Sequence, residues 1–110
     1  MQAPGPRVAV VLDGGGEPGR AIAIALAARG VRVVVVGGAE RALGETVGEI
    51  AHAGGQARHV VGDAAAGLAR AVDIWGRVDV VVAGDVAPRA FPAGAEAEDL
   101  AARIAAALAA

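Results

Sequence analysis

At 110 residues, with a formal charge of −2, a pI near 5.6 and no cysteine, the chain has the length for one domain and a single core, and cannot build a disulfide framework or a thiolate metal site. Its ten basic side chains, all arginine, are scattered singly, which argues against a nucleic-acid partner, and no apolar run approaches the roughly 18 residues of a membrane span. Met1–Arg7 lacks the apolar core of a secretion leader, and His52 and His59 fall in different elements without thiol or carboxylate company, so a cytoplasmic protein without a metal is expected.

Met1–Pro6, punctuated by Pro4, Gly5 and Pro6, reads as a flexible lead-in to a single domain spanning the chain. Val8–Leu12 is a continuous apolar run of the kind buried on both faces of a parallel sheet. The turn Asp13–Gly19 follows, with Pro18 suited to the first helical turn because its missing N–H has no intrahelical partner there. Ile22, Leu26 and the intervening alanines give the next helix its buried face, and Gly30 ends it. Val31–Val36 is a second buried strand, with Gly37 and Gly38 at its exit. Glu40–Ala53 sets Leu43, Val47 and Ile50 against Glu45, Glu49 and His52, the pattern of an amphipathic helix, stopped by Gly54 and Gly55. Gly44 and Gly48 within it cost about 1 kcal/mol each against alanine, so this helix depends on docking to the sheet.

Arg58–Val61 is a short third strand that leaves through Gly62 and Asp63. Ala64–Trp75 follows as a helix with Leu68, Val72 and Trp75 expected inward, and Val78–Val82 is the fourth strand. A Pro/Gly-containing loop over 83–94 leads to a final helix, Glu96–Ala109, with Glu96, Glu98 and Asp99 where the helix dipole favours negative charge and Leu100, Ile104 and Leu108 as its apolar stripe. Four strands alternating with four helices specify an α/β fold: a three-layer, Rossmann-like parallel sheet in the order 3-2-1-4 with right-handed crossovers. At its centre, Gly14, Gly16 and Gly19 satisfy G-x-G-x-x-G directly after a strand and before a helix, the context of a dinucleotide-binding turn.

Several stretches resemble the short-chain dehydrogenase/reductase family. Gly19-Arg20-Ala21-Ile22-Ala23 is similar to its G-R-A-I-A helix start, and Ala53-Gly54-Gly55 followed by Ala57 to its A-G-G-x-A turn. Gly62-Asp63 resembles the strand exit whose Asp contacts adenine, and Trp75–Val80 resembles the F-G-R-L/V-D-V entry to the fourth strand. The resemblance covers nearly the whole chain and corresponds to the family's N-terminal, cofactor-binding half, which implies a truncated Rossmann unit. It further implies NAD or NADP as the cofactor and Gly14, Gly16, Gly19, Arg20 and Asp63 as residues that would hold it.

Two departures bear on function. The family's T-G-x-x-x-G-x-G falls on Leu12–Gly19, so Glu17 stands at its middle glycine, and its N-N-A-G is reduced to Val82-Ala83-Gly84. The family's proton relay of Tyr, Lys, Ser and Asn has no counterpart, since none of these residue types occurs, and no catalytic residue is expected in the chain alone.

The glycine turn therefore has two readings. Backbone N–H groups at a helix N-terminus bind a pyrophosphate, or the glycines serve only a tight turn. Asp13 and Glu17 oppose an anion there, and Glu17 is expected to cap the helix with its own carboxylate, filling the anion site. The acid that would select NAD is replaced by Gly37 and Gly38, Glu40 comes two residues late, and Arg41 is no better placed for a 2′-phosphate, which leaves NAD against NADP open. Asp63 either faces adenine or satisfies loop N–H groups. The Val78–Val82 edge is apolar and unprotected, and after Arg103 the final helix reads IAAALAA with no polar residue. In the resembled family this helix lies at a subunit interface. A homo-oligomer, or pairing with a complete family member, is expected through that edge and the Glu96–Ala109 helix, an arrangement similar to the structural half of polyketide ketoreductases.

Overall fold

The computed structural model of the chain describes residues 5–83, together with Ala102. The elements in chain order are β1 (Val8–Leu12), α1 (Gly19–Ala28), β2 (Arg32–Gly37), α2 (Glu40–His52), β3 (Ala57–Val61), α3 (Ala64–Trp75) and β4 (Val80–Ala83). The strands form one parallel sheet in the order β3-β2-β1-β4, as the alternation of strand and helix patterns implies. The expected final helix Glu96–Ala109 apart from Ala102, the loop over 84–94 and most of the Met1–Pro6 lead-in lie outside the described residues.

Burial explains why β1 and β2 are so rich in valine. The two strands pair in register from Val8 opposite Arg32 to Leu12 opposite Val36, and successive side chains point to opposite faces. Ala9, Val11, Val33 and Val35 pack against Ile22 and Leu26 of α1 and Leu43 and Ile50 of α2. Val8, Val10, Val34 and Val36 face α3 around Ala71. Each fully buried valine contributes about 1.5–3 kcal/mol, so an uninterrupted run belongs only where helices cover both faces. The helices stop as sharply as their glycines imply. Gly30, at φ +84°, donates to the Ala27 carbonyl at 3.0 Å while Val31 donates to Leu26 at 3.2 Å, a Schellman end that α2 repeats at Gly54 and Gly55.

Details at three elements differ from the sequence-based expectation. Pro18 is the N-cap of α1 rather than its first helical residue, and its carbonyl accepts the Ile22 N–H at 3.0 Å. On α3, Leu68 and Val72 were expected inward but are 36% and 55% exposed, while Gly67 and Ala71 face the sheet and Trp75 is half-buried. Closeness of packing decides this: a Cβ on Gly67 would overlap the Val36 side chain and come within 2.9 Å of Val10 Cγ1. Only a glycine–alanine face lets α3 lie so near the strands, and the larger side chains turn outward. Third, β4 spans Val80–Ala83 instead of Val78–Val82, and just before it Asp79 ties the two strand entrances together with its side chain.

Asp79 Oδ2 accepts the Val8 N–H at 2.7 Å, and the Asp79 N–H donates back to the Val8 carbonyl at 2.8 Å. Arg77 grips the same carboxylate with two hydrogen bonds of 2.9 and 2.6 Å, and Arg7 Nη1 lies 3.6 Å away. The Arg77 hydrogen bonds hold the Asp79 carboxyl below its ordinary value near 3.8; burial opposes them, and the Val8 N–H and the charges of Arg77 and Arg7 assist. Asp79→Asn should destabilise the fold by about 1–3 kcal/mol at neutral pH, read from urea unfolding. Because the folded carboxyl titrates below the unfolded one, its contribution is complete above the unfolded value and fades as pH falls through the folded value. The gap between wild type and Asp79→Asn should accordingly narrow in acid below about pH 4.

Candidate functional site

The order β3-β2-β1-β4 puts a topological switch between β1 and β4, since the chain leaves β1 for β2 on one side and later reaches β4 on the other. Open α/β sheets bind ligands beyond the carboxyl ends of their strands at such a switch. The turn from Asp13 to Pro18 lies there, between β1 and α1. Asp13 opens it in a left-handed backbone conformation, φ +55°, which Asp tolerates better than most residues, and its carbonyl accepts the Gly16 N–H at 3.4 Å.

The three glycines of the G-x-G-x-x-G pattern do different things. A Cβ on Gly14 would fall 2.6 Å from Val35 Cβ, and one on Gly19 would fall 2.5 Å from the Asp13 carbonyl oxygen. Both are required by close packing of strand, turn and helix. Among the described residues, Gly16 has nothing within 4 Å of the same position, so no contact with them accounts for it. Gly14 is fixed further by its N–H, which donates to the Val36 carbonyl at 3.1 Å, and by its carbonyl, which accepts the buried Thr46 hydroxyl at 2.8 Å. Thr46 was missed in the sequence, although it is the chain's single hydroxyl-bearing side chain and lies on the Leu43–Ile50 face of α2.

The charges at the turn are arranged within the protein. Glu17 Oε1 accepts the Ala21 N–H at 3.1 Å, so a carboxylate of the chain occupies the first turn of α1. The Arg20 guanidinium pairs with Glu49 of α2 and is thereby committed across the helix pair. Beside the turn runs an open cleft of about 340 Å³, lined on one side by Asp13, Gly16 and Glu17 and on the other by Gly37, Gly38 and Ala42. Glu40 is not among its lining residues. The Glu40 side chain is 80% exposed and its Oε1 stands 3.8 Å from His59 Nε2, so His59, read from sequence as without carboxylate company, has a carboxylate beside it. Asp63 caps α3, its Oδ1 accepting the Ala66 N–H at 3.0 Å. It follows β3, two strands or about 10 Å across the sheet from β1. The fold thus gathers Gly14, Gly16 and Gly19 in one turn, directs Arg20 to α2 and leaves Asp63 apart. Among the described residues, no three His, Asp or Glu side chains could share a metal ion, and no helix is long and apolar enough to cross a membrane.

Solved structures similar to the chain include short-chain oxidoreductases. A variant of actinorhodin polyketide ketoreductase with NADPH is 32% identical with a TM-score of 0.66, over 71% of this chain and 32% of its own. A metagenomic short-chain oxidoreductase in complex with NADP is 32% identical with a TM-score of 0.64, over 70% and 38% of the two chains. Hydroxysteroid dehydrogenase from Escherichia coli is 30% identical with a TM-score of 0.68, over 80% and 42%. The chain is a short-chain dehydrogenase/reductase-type Rossmann unit. It spans about a third to two-fifths of the length of these relatives. No protein-family model matches the sequence, and a search of curated proteins finds no match.

This short-chain dehydrogenase/reductase unit meets a dinucleotide's needs in shape but not in charge. Gly16 and the Gly37–Gly38 wall leave room for a nucleotide against the backbone. The helix terminus that would face a pyrophosphate already holds Glu17, Asp13 adds a second negative charge to the cleft, and Arg20 is engaged elsewhere. Carboxylates and phosphates at one helix terminus repel, so Asp13 and Glu17 disfavour a pyrophosphate at this turn. The packing difference between the glycines is testable by urea unfolding. Gly19→Ala should cost about 1–3 kcal/mol, because its Cβ meets backbone that cannot yield, whereas Gly16→Ala should stay within about 0.5 kcal/mol of wild type.

Proposed function

We propose that the chain is a short-chain dehydrogenase-like nucleotide-fold module that performs no redox chemistry by itself and serves as a structural or regulatory partner, either of its own copies or of a complete family member, in the cytoplasm. The observation that carries this reading is the Glu17 carboxylate on the Ala21 N–H, which takes up the helix terminus that nucleotide binding needs. Composition supports it. The family's acid–base relay requires Tyr, Lys, Ser and Asn, and none of these occurs in the 110 residues. The contact surface is assigned to β4, the last strand of the described sheet, where Val81 is 43% exposed, together with the Glu96–Ala109 segment.

A second reading has its own support. Among the described residues nothing approaches the Cβ position of Gly16, a glycine that makes sense where a ligand approaches the backbone, and two relatives hold NADPH or NADP. On this reading the chain is the cofactor-binding part of an NAD(P)-dependent oxidoreductase whose catalytic residues lie outside it.

Calorimetric titration with NADH and NADPH separates the two. The module reading expects no binding to wild type below millimolar concentration and a gain of at least about tenfold in Glu17→Gly. Binding to wild type that Glu17→Gly does not improve would support the second reading. Light scattering after size exclusion tests the partner role; a monodisperse monomer that also fails to associate with complete family members rejects it.

A further inference from the structure

The arginines that are scattered in sequence are collected by the sheet. All strands of a parallel sheet start at one edge, and Arg58, Arg32, Arg7 and Arg77 lie at or just before the starts of β3, β2, β1 and β4. Two of the four have a counterion. Arg7 and Arg77 share Asp79. Arg32 and Arg58 have no carboxylate within ion-pair distance among the described residues.

Instead these two converge on one aromatic ring. Strand alternation points Arg32 and Arg58 to the α3 face, alongside Val34 and Val60, where Trp75 closes the last turn of α3. The Arg32 guanidinium carbon lies 5.8 Å from the ring centroid and that of Arg58 lies 5.9 Å from it. The face of an indole attracts a cation, but two cations at one ring on neighbouring strands also repel each other. Arg32 Nε is in addition buried without a hydrogen-bond partner, while Arg58 Nη1 donates to the Ala57 carbonyl at 2.8 Å and keeps its other donors. A buried donor left unpaired is costly and marks a place where an ion or ordered water belongs. Arginine forks match the geometry of phosphate and carboxylate oxygens, and an oxyanion held by the outer guanidinium donors of the pair would balance their charges.

We infer that the Arg32–Trp75–Arg58 cluster is an oxyanion-binding site, taking a phosphate or carboxylate group. It is separate from the cleft at the glycine turn: Arg32 begins β2 and Gly37 ends it, about 17 Å away along the strand. The two sites can therefore succeed or fail independently.

Trp75 is the only tryptophan and the chain has no tyrosine, so its fluorescence reports on this cluster directly. The wild-type protein is titrated with inorganic phosphate and, in parallel, with acetate, with sodium chloride holding ionic strength constant. The expected result is a saturable change in Trp75 emission. Arg32→Gln and Arg58→Gln should each weaken the response at least about tenfold, and Arg41→Gln, on exposed α2, should leave it unchanged. Saturation by phosphate alone assigns the site to phosphorylated ligands, and saturation by acetate alone assigns it to carboxylates. Emission that neither anion changes at constant ionic strength overturns the proposal, as does saturation that survives the double glutamine variant. Thermal unfolding checks that the variants fold; if they do not, the wild-type titration decides alone.

Discussion

Two helical layers pressed onto both faces of a valine ladder are what the rest of this molecule rests on. β1 and β2 have almost no accessible surface, and their alternate side chains meet α1 and α2 on one face and α3 on the other. Such contacts yield their full stabilisation only if the layers come close, and closeness is bought with missing side chains. Gly67 and Ala71 let α3 settle on Val10 and Val36, and Gly14 and Gly19 let the turn fold against Val35 and the end of β1. Glycine content that looks like looseness in composition is, at these positions, a packing requirement.

The same closeness shapes the glycine turn between β1 and α1. With Gly14 and Gly19 explained by packing and Thr46 holding the Gly14 carbonyl, the turn has a reason to exist without any ligand. Gly16 is the remaining glycine of the pattern, and Glu17 is the residue that departs from it. The carboxylate takes the role that a phosphate has at such helix termini, accepting a backbone N–H in the first turn of α1. The turn thus combines a glycine-rich passage from strand to helix with two carboxylates, Asp13 and Glu17, beside the helix terminus.

Charge is also sorted by topology. A parallel sheet sends every strand entrance to one edge, which brings Arg7, Arg32, Arg58 and Arg77 into a row, while Asp13, Glu17, Glu40 and Asp63 follow strand exits or begin helices at the opposite edge. Asp79 balances two of the arginines and joins β1 to β4, and Trp75 takes the other two. The resulting polarity is invisible in a net charge of −2.

Much of the fold was legible in the sequence, because it is written in local signals. Valine runs marked the strands, glycines after periodic apolar stretches marked the helix ends at Gly30 and Gly54, and the alternation of elements implied the order 3-2-1-4, all of which depend on neighbours a few residues apart. The absence of Tyr, Lys, Ser and Asn likewise needs no coordinates. What tertiary structure alone decided involves distance across the fold. Which face of α3 is buried depended on how near Val36 lies to Gly67, not on hydrophobicity, which favoured Leu68 and Val72. Arg20 met Glu49, His59 met Glu40, and Arg32 and Arg58 both came to Trp75 because helices and strands remote in sequence were set side by side. Periodicity describes one element at a time, whereas side chains choose partners, and charges acquire surroundings, only after the elements pack.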